Sequence, residues 1–382
     1  MASKTTRVVI SRLHLQNMKF PHHASVTEVE HLSSYNWLDK DTPTIAVPGS
    51  PSLWAPPKGP QQLTKDSGHV YISQNAGRLP ETPMEPLFRA LHVTKPSFDM
   101  ASIDVVTDRN NMRKLLSYVS SGLGGDPLEP FVIRLEMAKD TLLMCRHDTA
   151  TVQYIRPNEH RGFGHAFEKA YTEDQISGSS GHHRIISYRF CDLAFIVRHE
   201  TDGYVADHTA ESGRDYPDDD DRGLSNMLGS LALSPDDASP SATPLGSELA
   251  VQKMGQQIPL GSTLEIKTRS RFKRLEVRDL APQLWVSQTP KLVVAYHKRG
   301  MFEPPMVVKD VALEIRKWET ANQEHLGTLG ALIGKIIAVT KDCGGQALLK
   351  YDNKRDELVI SKEERGKMLP DDLYEKWNGK SD

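Results

Sequence analysis

The sequence predicts an α+β fold, a central mixed or antiparallel sheet flanked by helices, and two observations carry that expectation. Apolar residues recur at helical spacing before residue 120 and after residue 311, whereas short β-rich runs bounded by turn residues fill much of what lies between. A third observation bounds the packed body. Residues 206–258, including "DYPDDDDRG" and "LSPDDASPSATPLGSE", are so rich in Asp, Ser, Pro and Gly that they cannot bury enough apolar surface to order themselves. A long disordered insertion is expected there.

The elements follow in chain order. Residues 1–30 read as an N-terminal segment whose basic start, "MASKTTRVVISRLHLQNMKF", weakly resembles an organelle transit peptide, while "RVVI" reads equally well as an early strand. Residues 36–60 are rich in Pro and Gly and are expected as irregular chain docked on a surface through Trp37 and Trp54. "MEPLFRALHVTKPSFDMASIDVVTDRNNMRKLLSYVSSGLGG" gives two helices. The second carries Met112, Leu115, Leu116 and Val119, with Asp108 or Thr107 as N-cap and Gly122 as stop. "PFVIRLEMAKDTLLMCRH", "RIISYRFCDLAFIVRHETDGYV", "STLEIKTRS" and "PKLVVAYHK" read as strands. "DVALEIRKWETANQE" and "LGTLGALIGKIIAVTKD" read as helices, and "QALLKYDNKRDELVISK" as a closing hairpin. One domain is expected over residues 31–360, interrupted by the 206–258 insertion, with 361–382 as a flexible tail.

Composition narrows the function classes. A net charge of -3 over 382 residues excludes a polycation that coats nucleic acid, so any nucleic-acid site must be a local basic channel. Hydrophobic content of 38% and a mean hydropathy of -0.48 fit a chain that is partly unpacked. Cys145, Cys191 and Cys343 are odd in number and lack C-x-x-C spacing, which argues against a disulfide framework and a zinc site. No apolar run reaches the roughly 18 residues of a membrane helix, since "LGALIGKIIAV" is broken by Lys335, and no membrane association is expected.

Chemistry concentrates at two strand ends. "HETDG" places Glu200 and Asp202 on one strand face, and "TLEIK" does the same for Glu265 and Lys267. If these strands are neighbours, three carboxylates and a lysine converge, and such a cluster needs a cation among its like charges. Oxygen ligands without His or Cys select Mg2+ or Mn2+, and the lysine steadies developing negative charge or orients water. The bland alternative is an exposed Glu265–Lys267 ion pair of little value.

Other runs carry weaker signals. "DDDD" at 218–221 lacks the helical DDxxD repeat of prenyl diphosphate synthases, "GHH" at 181–183 is expected as a polar loop, and the G-x-G in "HRGFGHAF" lacks P-loop spacing. The basic run "KTRSRFKR", with Arg269, Arg271 and Phe272, is either the wall of an RNA channel or a solvated face.

E-x-D followed by E-x-K resembles the core of the PD-(D/E)XK nuclease fold, and the flanks resemble the DXO-type RNA decapping and 5′-3′ exonuclease family, as a divergent fungal-like member. The resemblance runs over roughly residues 85–360 through "IDVVTDRNNMRKLL", "GHAFEKA", "HETDG", "LEIK" and "APQLWVSQTPKLVVAYHKRG". It implies Arg109 as a contact to substrate phosphate, and Glu168, Glu200, Asp202, Glu265 and the Ile266 carbonyl as metal ligands. It further implies Lys267 as partner of the attacking water, Gln283 near the active site and Lys291 at the start of its strand, with all three counted among the substrate contacts.

The function implied is metal-dependent hydrolysis at RNA 5′ ends (triphosphates, incomplete caps or nucleotide caps), with a possible exonuclease step. A 5′-3′ exoribonuclease partner and a nuclear location, with the cytoplasm as a second site, are implied too. Three positions depart from the family pattern: Asp108 and Ala281 stand where tryptophans are usual, and the insertion is long. Asp108 is expected to add negative charge where phosphate approaches. A noncatalytic RNA-binding scaffold and a PD-(D/E)XK DNA nuclease are the rival readings.

Overall fold

Apolar runs in "HHRIISYRF" and "LAFIVRHE", buried on both faces, fold as two long strands, Ser179–Phe190 and Leu193–Glu200, paired antiparallel in a computed structural model of the chain. Cys191 and Asp192 make the connecting turn with φ of 49° and 65°, the left-handed pair that a two-residue hairpin requires. The structure describes residues 7–18, 23–120, 128–156, 159, 162–206, 243 and 246–377.

Around this hairpin the described strands form an eleven-stranded sheet. Its order is Arg7–Ser11, Glu357–Lys362, Gln346–Asp352, Phe131–Ala138, Thr141–His147, Val105–Asp108, Leu193–Glu200, Ser179–Phe190, Thr27–Leu38, Thr44–Gly49 and Ala250–Gly255. An eight-stranded sheet is built around Thr263–Ser270 and Lys291–Lys298, which pair in parallel through the crossover helix Val277–Ser287. A two-stranded ribbon pairs Gly68–Tyr71 with Val152–Ile155. The class is α+β as expected, with two large mixed sheets where the sequence suggested a single central one.

Helices cover both faces of the larger sheet. Arg109–Val119 and Gln323–Asp342 bury Met112, Leu115, Leu116, Leu329 and Ile333 against Phe195 and Val197 on one face. Glu85–Thr94 buries Leu87, Phe88 and Leu91 against Ile185 and Ile196 on the other. Each large side chain so enclosed stabilises the fold by about 1.5–3 kcal/mol. The expected helix over 109–119 is present with Asp108 at its N-cap position, and Gly122 lies outside the described residues.

Four expectations change. Residues 36–60 are not merely irregular: "TIAVPG" is the strand Thr44–Gly49, with Ile45, Ala46 and Val47 fully buried, while Trp37 is the anchor expected of it. Its neighbour is Ala250–Gly255, six residues from within the expected insertion, paired parallel to it. Much of that insertion, residues 207–242, 244 and 245 with the "DDDD" run, lies outside the described residues. Part of the tail is also packed: Trp377 is 2% exposed with its ring tilted against Phe88 at 5.4 Å, and Asp372 pairs with Arg89, so 371–377 closes the second core.

"GHH" is strand and not loop. His182 and His183 are buried on opposite faces and bonded to Asn36 (2.8 Å) and Gln74 (2.9 Å). Beside them on the Thr27–Leu38 strand, burial above all, with Arg184 and Lys95, pushes the His31 imidazole down to about 3. Below pH 6.5 the unfolded chain therefore binds a proton that the folded chain refuses. His31 should remove about 1.4 kcal/mol of stability per pH unit as pH falls from 6.5 towards 3. Urea midpoints measured at pH 7 and 5 should fall less in His31→Gln than in wild type, and equal falls would refute the assignment.

Candidate active site

The chain changes sheets at Glu200–Tyr204. Leu193–Glu200 belongs to the larger sheet, and the two-residue strand Gly203–Tyr204 immediately joins the smaller one, pairing Gly203 with Leu264 and Tyr204 with Thr263. The backbones approach closely at this crossing, where a Cβ on Gly203 would sit a tight 3.0 Å from the Ser52 carbonyl oxygen. The E-x-D motif thus lies at the junction of the sheets, beside the strand that carries E-x-K.

Glu265 is the centre of the site. Its side chain is 2% exposed and accepts hydrogen bonds from Arg109 Nη1 at 3.0 Å, from Lys267 Nζ and from Gln283 Nε2. Arg109 comes from the first turn of the helix Arg109–Val119, and Gln283 from the crossover helix. Asp202 Oδ2 accepts from the Ile266 amide at 2.7 Å and lies 3.8 Å from Lys267 Nζ. Lys267 Nζ also donates to the Ile266 carbonyl at 3.1 Å, the oxygen expected to face a metal.

Burial and mutual repulsion set the electrostatics. Burial pushes the Asp202 carboxyl up to about 7, Glu265 adds to the rise, and Lys267 opposes it. Burial together with Asp202 and Glu200 holds Glu168 well above the carboxylate range. Glu200, though exposed to solvent at the end of its strand, is raised as well by the surrounding protein, against the pull of Arg109. For Glu265 burial acts upward, but Arg109 and Lys267 outweigh it and keep the group below its ordinary value.

Four carboxylates therefore face two cations within one electrostatic neighbourhood, a deficit of two positive charges. An all-oxygen donor set with that deficit is of the kind that suits a hard divalent cation. Among the described residues, however, no group of three or more acidic, His or Cys side chains is arranged so that it could hold a metal ion. Glu265 is instead turned onto Arg109, Lys267 and Gln283.

The site opens into a cleft of about 890 Å³ lined by Arg109, Arg113, Arg146, Glu168, Glu200 and Asp202, among others. The remaining predicted contacts fall outside that lining. Arg269 and Arg271 are exposed beyond the site, with the Arg271 guanidinium over the 78% exposed ring of Phe272 at 5.2 Å. Lys291 pairs with Leu264, and Leu292 with Glu265, so Lys291 occupies the strand face opposite Glu265 and Lys267.

Asp108 does not offer free negative charge to the cleft. Arg198 grips it at 2.6 and 3.1 Å, and donates also to the Tyr35 hydroxyl (3.3 Å) and the Pro83 carbonyl (2.9 Å). Sequence reasoning missed Arg198, although its place two residues before Glu200 puts both on one strand face. The G-x-G stretch is no phosphate cradle, because Asp66 accepts from the Ala166 and His165 amides that open the helix Gly164–Tyr171.

No curated protein matches the chain by sequence. Solved structures share its fold. Rai1 of Candida albicans, crystallised in complex with pU5-Mn2+, aligns over 98% of this chain and 99% of its own with a TM-score of 0.59 at 13% identity. Rai1 of S. pombe aligns over 94% of this chain and 100% of its own (0.56, 13%), and Dxo1 of K. lactis, crystallised in complex with manganese, over 94% and 98% (0.50, 8%). The resemblance to the DXO-type family thus holds at the level of fold. The sequence also matches, over residues 10–377, a family model described as "Domain of unknown function (DUF8563)", and the chain belongs to that family.

Proposed function

We propose that this protein is a divalent-metal-dependent hydrolase of RNA 5′ ends, cleaving a phosphoanhydride or phosphodiester bond with Mg2+ or Mn2+. The observation that carries the proposal is the cluster of Glu168, Glu200, Asp202 and Glu265 against Lys267 and Arg109 at the cleft. The shared fold of Rai1 in complex with pU5-Mn2+ supports it.

Glu168, Glu200 and Asp202 would hold the metal, which when bound supplies charge stabilisation to the transferring phosphoryl group. Lys267 keeps its proton, since burial is outweighed by Glu265 and Asp202. Its Nζ, held by Glu265, is thereby positioned to orient water. Gln283 and Arg109 fix the Glu265 carboxylate from two other directions, and Arg109, which also lines the cleft, retains guanidinium donors for a terminal phosphate. A 5′-3′ exoribonuclease partner and a nuclear location belong to the same reading.

The test is release of the 5′ group from triphosphorylated, unmethylated-cap and NAD-capped RNA in Mn2+ or Mg2+. Wild type should release it from at least one of these, chelation should stop the reaction, and the Asp202→Ala/Glu265→Ala variant should be inactive. A folded, metal-supplied wild type that releases nothing would point to the scaffold reading, and preferential cleavage of duplex DNA to the DNA nuclease.

A further inference from the structure

The ribbon of Gly68–Tyr71 and Val152–Ile155 is amphipathic in the inverse sense. Its register pairs Tyr71 with Val152 and His69 with Tyr154, so these four side chains share one face. All four are exposed, while Val70, Gln153 and Ile155 on the opposite face are packed to differing degrees. Tyr154 is 55% exposed, Tyr71 41%, Val152 39% and the adjoining Ile72 38%. Nine large hydrophobic side chains are exposed among the described residues, and four of them gather here.

Three features indicate what covers this face. The first is continuity: His69, Tyr71 and Ile72 line the same cleft as Glu200 and Asp202. The second is charge, since Lys169 and Arg146 line that cleft; Arg146 pairs with Asp148 through Nε while its Nη1 donates to the Ile72 carbonyl at 3.0 Å. The third is preorganisation. A Cβ on Gly77 would lie 2.8 Å from Tyr71 Cδ1, so only glycine lets the ring settle on the helix Gln74–Arg78. The Arg78 guanidinium lies 5.2 Å from that ring and 5.7 Å from Trp37, between the two.

We propose that this ribbon is the platform for the single-stranded RNA that follows the 5′ nucleotide, with Tyr71 and Tyr154 stacking on bases and Arg146 and Lys169 meeting the phosphates between them. The inference rests on the reading of the cleft as an RNA 5′-end site. Aromatic faces accept any base, and alternation of rings with cations suits a flexible strand. A protein partner would need about 20–30 residues a side, far more than this patch supplies. On the cleft wall itself His69, Tyr71 and Ile72 stand with Arg146 and Lys169, and Tyr154, paired with His69, extends the same ribbon face beyond that lining.

The test is a fluorescence-anisotropy titration with 3′-labelled, 5′-phosphorylated decauridylate in Ca2+, with UMP as competitor. Tyr71→Ala/Tyr154→Ala should weaken decauridylate binding about ten- to a hundredfold and shift UMP competition by less than about twofold, and Tyr71→Phe/Tyr154→Phe should keep wild-type affinity. Unchanged decauridylate affinity in the alanine variant, with wild type still hydrolysing RNA 5′ ends, would overturn the platform alone. So would wild-type binding of a blunt RNA duplex as tight as that of the decamer. A wild type that binds neither decauridylate nor UMP and hydrolyses no 5′ end would overturn the underlying reading as well.

Discussion

Glu265→Gln is expected to lower the rate of 5′-group release about a thousandfold or more, the largest catalytic effect of any single change in the site. The substitution keeps the shape and removes one charge. Arg109 and Lys267 then share a buried space without the carboxylate that both contact, and Gln283 faces another amide. Leaving buried charge without its partner costs about 3–5 kcal/mol, so the variant should also melt earlier. Asp202→Asn separates the two effects. It retains an oxygen for the Ile266 amide while losing the charge, so it should fold near wild type and still fail to bind Mn2+ in calorimetry. Activity within tenfold of wild type in both variants would remove the carboxylate cluster from the chemistry.

The largest stability effect is expected at Arg198. It is 2% exposed and makes four hydrogen bonds that join Asp108, Tyr35 and Pro83 beneath the cleft. Arg198→Met should lower the unfolding free energy by about 3–5 kcal/mol, because it strands the Asp108 carboxylate. Adding Asp108→Asn removes the stranded charge and should restore more than half of the loss. Urea titrations of the two variants decide the matter: a single-variant loss under about 1 kcal/mol, or no recovery in the double, would show that the pair does not act as a unit.

Local pattern made the core of the site legible before the fold was known. A short continuous apolar run marks Leu193–Glu200 as a strand and alternation marks Thr263–Ser270, and period-two spacing places Glu200 with Asp202 and Glu265 with Lys267. What escaped depends on distant partners. Thr44–Gly49 contains Pro48 and is flanked by turn residues, and it becomes a buried strand through Ala250–Gly255, hidden inside a low-complexity run. The partner of Asp108 is 90 positions away, so its charge reads as free in the sequence although it is neutralised in the fold. Lys291 turns on a single residue of register, which no composition encodes. Arg269 and Arg271 show that a basic run reports charge without reporting which wall it faces.

The site also straddles two sheets, with a consequence for how the molecule acquires competence. Gln283 reaches Glu265 across 18 positions, whereas Arg109 reaches it across 156. The first contact forms within one crossover unit; the second closes only when the helix of one sheet docks against a strand of the other, at a loop-closure cost about 2 kcal/mol larger. A partly assembled chain that has built its smaller sheet alone holds Glu265 and Lys267 without Arg109. On the reading proposed above, hydrolytic capacity would be a late property of the folding reaction, expected only once the two sheets have docked.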